Sequence, residues 1–278
     1  MNLNSLIEHL KNVGVLKTPL IIEAFKAIDR ADFVPSDLKD FAYVDEALPI
    51  EKGQTISQPY TVAFMLELLQ PQFGDNILDI GYGSGWQTAL LAYIVSRNSR
   101  KPKTKNQILK IQIKNKKGIK DGKIYAVELV KELCDFGRQN IAKYNFTPLE
   151  SRLAKSENKI VGNNAEQRSS LTGFIKKGIV ETFCQSAENG LAEIAEKIGG
   201  FDKIVAAAAI YNEPVFLPEK NAVDKIPAAW KNQLKAGGKI LMPIKNSIWL
   251  FTKHSEKKFE AQEYPGFVFV PFMKTQNL

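Results

Sequence analysis

Apolar and polar residues along this chain form a regular succession of strand-length and helix-length segments. Short apolar runs, typical of buried strands, are followed by longer segments in which apolar residues recur with helical periodicity. The predicted strands are 76–80, 123–128, 179–184, 201–206, 238–244 and 247–252, and the predicted helices between them are 86–96, 130–143, 189–198 and 226–234. This alternation predicts an α/β fold with a mainly parallel sheet, helices on both faces and an antiparallel hairpin at the end.

The first part of the chain is predicted to be helical. Apolar residues recur with helical spacing from Asn4 to Asp32, and a further helix is predicted over 60–69. We therefore predict one domain, 1–278, made of an N-terminal helical and loop segment, 1–70, and an α/β core, 71–278. Three polar stretches in the core are interpreted as insertions: 98–122, 148–178 and 211–225.

A glycine-rich turn joins the first core strand to its helix. It reads Asp79-Ile80-Gly81-Tyr82-Gly83-Ser84-Gly85-Trp86, with the spacing G-x-G-x-G. Glycines let the backbone approach a ligand closely, and the helix N-terminus offers N–H groups to an anion. With an acidic residue two places before the first glycine, this spacing favours an S-adenosylmethionine site over a dinucleotide site. A tight turn without a ligand is the alternative interpretation.

Glu128 is the candidate ligand for ribose hydroxyls. Nucleoside sites carry an acidic residue about 20 positions after the glycine turn. Glu128 ends the predicted strand 123–128 and lies 43 residues after Gly85 (128 − 85), but removing the 25 residues of 98–122 leaves 18. A solvated acidic residue at the end of a strand is the alternative.

The net charge of +8 is concentrated in one stretch of the chain. Residues 97–123 hold eleven Lys or Arg and one acidic residue, a net of +10, so the remainder carries 8 − 10 = −2. A local basic run predicts a solvated loop or hairpin, dispensable for activity, with a docking patch for an acidic partner or RNA as the alternative. We expect no nucleic-acid partner, since the rest of the chain is mildly acidic.

Cysteine and histidine content bears on metal sites and on location. Two cysteines, Cys134 and Cys184, predict a reducing compartment without a disulfide framework. With only His9 and His254 besides, we predict no metal site. The N-terminus lacks a signal pattern, and the longest apolar run, 204–211, is too short to span a bilayer. We therefore expect a cytoplasmic protein with no membrane contact.

A segment before the predicted helix 60–69 connects the chain to a known family. Gly53-Gln54-Thr55-Ile56-Ser57-Gln58-Pro59, together with the glycine turn, resembles the protein-L-isoaspartate O-methyltransferase family. Further segments that match the family are Phe33-Val34-Pro35, Ala42-Tyr43-Val44-Asp45, Leu48-Pro49-Ile50, Phe201-Asp202, Ala208-Ala209, Ile226-Pro227, Gln233 to Lys239 and Phe269-Val270-Pro271-Phe272. In order, these matches cover the chain except the three insertions.

The resemblance implies a Rossmann-like, seven-stranded S-adenosylmethionine methyltransferase fold with three αβα layers and an N-terminal helical segment. It implies the strand order 3-2-1-4-5-7-6 with the last strand antiparallel. The implied reaction is methyl transfer from S-adenosylmethionine to the free carboxylate of isoaspartyl residues in damaged proteins, which is a repair reaction. A carboxylate is ionised near pH 7, so alignment and exclusion of water can suffice without a strong base.

The resemblance also implies the site residues. Ser57 is the implied catalytic residue, which orients the substrate carboxylate; a helix N-cap is the alternative role for its hydroxyl. The implied cofactor-binding residues are Ile56, Ser57, Gln58, Asp79, Gly81, Gly83, Gly85, Glu128, Gln185 and Ser186. The implied substrate-binding residues are Thr55, Ser57, Ala207 and Ala208.

Two positions depart from the family pattern. The chain has Gln185-Ser186-Ala187 where the family has Gly-Asp-Gly, and Ala207 where the family has threonine. The implied partners are isoaspartyl-containing proteins and peptides, and we expect a monomer. Two alternatives remain at this point: a methyltransferase with a different substrate, and a non-catalytic member that docks on acidic partners through its basic stretch.

Overall fold

The computed structural model of this chain describes residues 1–96, 121–144, 178–208 and 222–269. The predicted insertion 98–122 lies outside these ranges except for its last two residues, and 148–178 except for its last. Of the third insertion, 211–225, the last four residues are described, and they form a 3-10 helix, Ala222–Lys225. Our expectation for the basic stretch thus falls outside the described residues.

The described part of the chain contains one seven-stranded sheet and one short hairpin. The hairpin pairs β1, Leu48–Pro49, with β2, Thr55–Ile56. The sheet strands are β3 (Asn76–Ile80), β4 (Lys123–Glu128), β5 (Val180–Cys184), β6 (Phe201–Ala206), β7 (Leu234–Ile244), β8 (Ser247–Ser255) and β9 (Lys258–Pro265). Their order is β5-β4-β3-β6-β7-β8-β9, parallel from β5 to β7 and antiparallel at β7/β8 and β8/β9.

The seven-stranded α/β fold is confirmed, but the predicted strand order is wrong at its end. If the strands of the sheet are numbered 1 to 7 in chain order, from β3 to β9, their order in the sheet is 3-2-1-4-5-6-7 and not the predicted 3-2-1-4-5-7-6. The strand that runs antiparallel to the other six is β8, and the last strand, β9, runs in the same direction as β3. The turns at 245–246 and 256–257 span two residues each, and connections this short join only adjacent antiparallel strands. Lys245 takes the positive φ of 54° that such turns favour.

Seven α-helices lie in the described ranges. They are α1 (Leu3–Asn12), α2 (Pro19–Ala27), α3 (Pro59–Leu69), α4 (Trp86–Val95), α5 (Lys131–Ala142), α6 (Ala192–Ile198) and α7 (Ala228–Gln233). Short 3-10 helices occupy Arg30–Asp32, Ser36–Phe41 and Glu51–Gly53. The predicted helical stretch at the N-terminus is divided in two, because Gly14 has a φ of 74° and Pro19 starts a new helix. Val13, the residue after α1, is 50% exposed although it continues the apolar spacing of that helix.

The core consists of two apolar clusters, one on each face of the sheet. Successive strand residues point to opposite faces, so Ile77 and Leu78 on β3 belong to different clusters. The first cluster packs α1 to α5 on one face, and the second packs α6 and α7 on the other. The N-terminal segment is therefore a layer of the fold, held by the same cluster as the core helices.

The prediction of unpaired cysteines is wrong, since Cys134 and Cys184 form a disulfide. Cys134 lies in the first turns of α5, and Cys184 ends β5. The β4–α5–β5 crossover packs the helix on the strand and brings the two cysteines together despite their separation of 50 residues. Spacing along the sequence does not reveal such a pair, and the cysteine count no longer supports a reducing compartment.

None of the helices within the described ranges combines the length and the apolar character needed to cross a bilayer.

Candidate active site

A cavity of about 1020 Å³ lies at the carboxyl ends of the parallel strands. Its floor is formed by the residues at and just after the ends of β3, β4, β5 and β6, where open α/β sheets bind their ligands. Its other walls come from residues 54–64 of the N-terminal segment and from residues 264–269 at the end of β9. The site therefore combines three regions that are distant in sequence.

Most of the predicted site residues line this cavity. They are Thr55, Ile56, Ser57, Gln58, Gly81, Gly83, Glu128, Gln185, Ala207 and Ala208. Asp79, Gly85 and Ser186 do not line the cavity, and their predicted contacts with the cofactor stay predictions. Ser186 Oγ accepts a hydrogen bond from the Glu188 N–H at 3.3 Å within its own turn.

The glycine turn has two functions in the structure. Gly81 and Gly83 line the cavity with φ values of 74° and 48°, a conformation that side chains disfavour. Gly85, with a φ of 85°, faces α5 instead, and a Cβ there would lie 2.8 Å from the Ile141 side chain and 2.9 Å from the Gly137 carbonyl oxygen. The third glycine thus permits close packing of the glycine turn on α5.

Gly137, in the middle of α5, completes this packing and escaped the sequence analysis. A Cβ at Gly137 would overlap the Gly83 carbonyl oxygen and lie 2.7 Å from the Tyr82 ring. Nearby, the Asn140 amide donates to the Ser84 carbonyl oxygen at 3.1 Å. Helix α5 therefore supports the glycine turn from behind. A glycine inside a helical pattern is the only sequence signal for this role.

Replacing Gly137 by alanine is expected to lower the free energy of unfolding by about 1–3 kcal/mol, because the new methyl group overpacks the contact with the glycine turn. At an unconstrained helical position the same change stabilises by about 1 kcal/mol, so the sign of the effect is diagnostic. Urea unfolding of the two proteins measures it. A Gly137→Ala protein more stable than wild type would contradict the packing role.

Glu128 occupies the position expected of a ribose ligand. Its Oε2 accepts from the Gly83 N–H at 3.0 Å, and its Oε1 accepts from the N–H groups of Leu129 at 2.8 Å and Val130 at 3.0 Å. A carboxylate has about four acceptor positions, so three internal bonds leave one for a ligand hydroxyl. The side chain lines the cavity although the residue is 8% exposed. The alternative of a solvated strand end is wrong.

Asp79 lies fully buried below the turn and holds the start of α4. Its carboxylate accepts from Gln87 Nε2 at 3.0 Å and from Thr88 Oγ1 at 2.6 Å. Burial raises the pKa of Asp79 from 3.8 to about 6, against the lowering effect of these two hydrogen bonds. Its contribution to the site is the orientation of the helix N-terminus.

The raised pKa of Asp79 predicts a pH dependence of stability. As the pH rises from about 4 to about 6, the unfolded chain loses this proton before the folded protein does, so the free energy of unfolding decreases. Two pKa units correspond to about 3 kcal/mol. We expect Asp79→Asn to remove this decrease, measured by chemical unfolding at several pH values. Parallel curves for the two proteins would contradict the assignment.

The loop that carries Ser57 is held by other residues, which leaves the Ser57 side chain on the cavity wall. Helix α3 begins after Gln58, and the Tyr60 N–H in its first turn donates to Asp45 Oδ1 at 2.8 Å. Gln58 Nε2 donates to the Asp45 carbonyl oxygen at 2.9 Å. The helix N-cap role considered for Ser57 is therefore wrong, since Gln58 is the N-cap and Asp45 accepts from the first N–H group of the helix, that of Tyr60.

The turn after β5 forms the far end of the cavity. Gln185 and Ala187 line it, and the Ala187 carbonyl oxygen accepts from Trp230 Nε1 at 2.7 Å. Gln233 braces the following turn, with Oε1 accepting from the Leu191 N–H and Nε2 donating to the Asn189 carbonyl oxygen, both at 2.8 Å. Helix α7 thus fixes this turn, a role that sequence reasoning missed.

Aromatic side chains form a further wall of the cavity, and the sequence analysis missed most of them. Phe64 on α3 lies 4.8 Å from Phe267 and 5.6 Å from Tyr264, measured between ring centroids. Tyr60 and Phe269 extend this wall on either side. The only sequence signal for this wall was that Phe269 begins one of the segments that match the family. Such a wall can exclude water from the reacting groups.

The residues present fit an adenosyl ligand with a charged tail. Glu128 retains one acceptor position for a ribose hydroxyl. Trp86, the first residue of α4, lines the cavity, and its buried Nε1 has no acceptor among the described residues. A buried donor of this kind at a helix N-terminus suits an anionic group such as a carboxylate.

Known proteins resemble this chain over most of its length. The model of the family Protein-L-isoaspartate(D-aspartate) O-methyltransferase (PCMT) matches residues 1–154 and 192–277. The protein-L-isoaspartate O-methyltransferase of Flavobacterium psychrophilum is 31% identical over 277 residues, covering 99% of this chain and 95% of that protein. The protein of the same name from Methanopyrus kandleri is 30% identical over 272 residues, covering 96% and 89%.

Solved structures of similar proteins have the same fold. The PCMT chain from Plasmodium falciparum, crystallised with S-adenosyl-L-homocysteine, superposes with a TM-score of 0.64 at 20% identity, covering 99% of this chain and 100% of that one. Together with the family match across most of the sequence, these findings confirm the resemblance that the motifs indicated. The chain belongs to the protein-L-isoaspartate(D-aspartate) O-methyltransferase family.

Proposed function

We propose that this protein is an S-adenosylmethionine-dependent O-methyltransferase that methylates the free carboxylate of L-isoaspartyl residues in damaged proteins. Besides family membership, one observation carries the proposal. A single cavity is lined by the glycine turn, by Glu128 and by the loop that carries Ser57. A methyl donor and a carboxylate acceptor bound there would lie next to each other.

The bound cofactor supplies an electrophilic methyl group, and the protein supplies binding and alignment. Glu128 would hold a ribose hydroxyl of the cofactor, and the N-terminus of α4 with Trp86 Nε1 would hold its carboxylate. The Ser57 hydroxyl would donate a hydrogen bond to one oxygen of the substrate carboxylate and leave the other oxygen free to accept the methyl group, with the cofactor released as the neutral thioether. Since that carboxylate is ionised near pH 7, the reaction requires no strong general base.

Two departures from the family pattern modify this site. Ser186 lies outside the cavity wall, so Gln185 is the polar side chain available to the adenine amino group. Ala207 lines the cavity without a hydroxyl, which leaves Ser57 and Thr55 as the hydroxyl groups of the loop that face the substrate. We propose Thr55, Ser57, Ala207 and Ala208 as the substrate contacts.

An isoaspartyl peptide and the otherwise identical aspartyl peptide test the proposed function. We expect a base-labile methyl ester on the isoaspartyl peptide only, detected with a radiolabelled methyl donor. Cofactor binding without this ester would favour a methyltransferase with another substrate. Absence of cofactor binding in calorimetry would favour a non-catalytic member that docks on acidic partners.

We further propose isoaspartyl-containing proteins and peptides as the partners. A monomeric state, a cytoplasmic location and the absence of nucleic-acid partners stay predictions. Sedimentation of the purified protein measures the first of these.

A further inference from the structure

Arg30 is a fully buried cation next to the Ser57 loop, and the sequence analysis did not identify it. The residue is 0% exposed. Its Nη1 donates to the carbonyl oxygens of Ala42 at 2.8 Å and Val44 at 3.2 Å, and its Nη2 donates to those of Glu46 at 2.9 Å and Ser57 at 3.1 Å. One guanidinium group thus binds four points of the chain between residues 42 and 57.

The four carbonyl oxygens replace water around the two terminal nitrogens, while the buried Nε has no hydrogen-bond partner among the described residues. Burial lowers the pKa of Arg30 to about 10, while the nearby Asp45 raises it, so the group stays charged near pH 7. A buried charge is costly unless it is hydrogen-bonded, so separation of the terminal nitrogens from these carbonyl oxygens is disfavoured and the oxygens are held at fixed positions. The position of the Ser57 backbone is therefore coupled to that of the 42–46 segment.

The same side chain contacts the cofactor side of the cavity. The guanidinium carbon lies 5.4 Å from the centroid of the Trp86 ring, within the range of a cation–π contact. Trp86 begins α4, directly after the glycine turn, and lines the cavity. Arg30 therefore touches both the loop that carries Ser57 and the helix that begins at the proposed cofactor site.

We propose that Arg30 is a positioning residue for methyl transfer, which fixes the Ser57 loop against the start of α4. The proposal rests on the proposed function of the cavity. Transfer between two bound groups is sensitive to their alignment, and a displacement of about 1 Å can cost about 100-fold in rate. Lysine cannot replace the guanidinium, because a single ammonium nitrogen cannot reach four carbonyl oxygens arranged around a planar fork.

Lys253 offers a matched control. It is also a buried cation, 1% exposed, whose Nζ donates to the carbonyl oxygens of Lys231 and Leu234, both at 2.8 Å. These carbonyls lie at the end of α7 and the start of β7, and none of the three residues lines the cavity. Removing this cation measures how far the loss of a buried charge that is distant from the cavity changes stability and kcat.

The experiment compares Arg30→Lys, Arg30→Met and Lys253→Met with wild type. For Arg30→Lys we expect kcat for an isoaspartyl peptide to fall about ten- to thirtyfold, while the Kd for S-adenosylhomocysteine changes less than threefold. Amide hydrogen exchange across 42–58 should accelerate at least tenfold. Lys253→Met should lower the melting temperature and leave kcat and exchange in 42–58 unchanged. Arg30→Met, if it folds, should exceed Arg30→Lys in both effects.

Two results would overturn the proposal. One is an Arg30→Lys protein with kcat within twofold of wild type and unchanged exchange in 42–58. The other is an equal loss of kcat in Lys253→Met after correction for the folded fraction. If wild type fails to methylate the isoaspartyl peptide, the proposed function fails, but hydrogen exchange in 42–58 with bound S-adenosylhomocysteine still decides whether Arg30 fixes the loop.

Discussion

Replacing Ser57 by alanine is expected to lower kcat for an isoaspartyl peptide by about 100-fold, the usual cost of removing one oriented donor at a reacting oxygen. Ser57 lines the cavity, and its backbone is held by Arg30 rather than by its own side chain. Since Asp45 and not Ser57 satisfies the start of α3, the variant should keep its melting temperature. Initial rates with saturating methyl donor measure the effect.

Two further serine variants sharpen this test. Ser57→Thr retains a hydroxyl and should recover part of the lost activity. Ser5→Ala removes an exposed hydroxyl on α1, which donates to Asn2 Oδ1 at 3.0 Å, and should leave the rate unchanged. A Ser57→Ala protein with kcat within threefold of wild type would exclude the hydroxyl as the group that orients the carboxylate.

Replacing Glu128 by alanine is expected to raise the Kd for S-adenosylhomocysteine about ten- to a hundredfold, measured by calorimetry. A hydrogen bond to a charged acceptor contributes about 1.5–3 kcal/mol, and the change removes the one that the ribose hydroxyl donates. It also frees the Gly83 N–H, which the carboxylate holds at 3.0 Å, so the glycine turn loses a fixed contact.

Glu181→Gln is the matched control for this measurement. Glu181 lies on the neighbouring strand β5, opposite Tyr125 of β4, and does not line the cavity. Its substitution should leave cofactor affinity unchanged. Equal affinities for wild type and the folded Glu128→Ala protein would remove Glu128 from the cofactor site.

The sequence predicted the parallel strands closely because they are buried. Asn76–Ile80, Lys123–Glu128 and Phe201–Ala206 match the expected bounds, and each is a short, mostly apolar run. Strand Lys258–Pro265 was not predicted as an element, because its residues are mostly exposed and polar. A strand without a buried face has no periodic apolar pattern in its sequence. The position of β9 in the sheet follows instead from the two-residue turn that joins it to β8.

Among the site residues too, those with a local sequence pattern were predicted and those without one were missed. The glycine turn and Glu128 were found because a strand, a turn and a helix in sequence order define their surroundings. Arg30 and Gly137 act on partners distant in sequence; Arg30, for example, binds a carbonyl 27 residues away. Their own neighbours in the sequence give no sign of those partners. The disulfide between Cys134 and Cys184 was missed for the same reason.

The division of the core between two faces of the sheet has a consequence for the order of folding. Most side chains of the first cluster come from residues 6–95, whereas nearly all of the second come from 125–251. Contacts between residues near in sequence close smaller loops and lose less chain entropy. During synthesis, the face that includes the N-terminal helices can therefore collapse first, with Arg30 and the Ser57 loop already in place. The opposite face includes buried side chains up to Phe251, so we expect its core, and with it the turn after Cys184, to be completed only after β8 has left the ribosome.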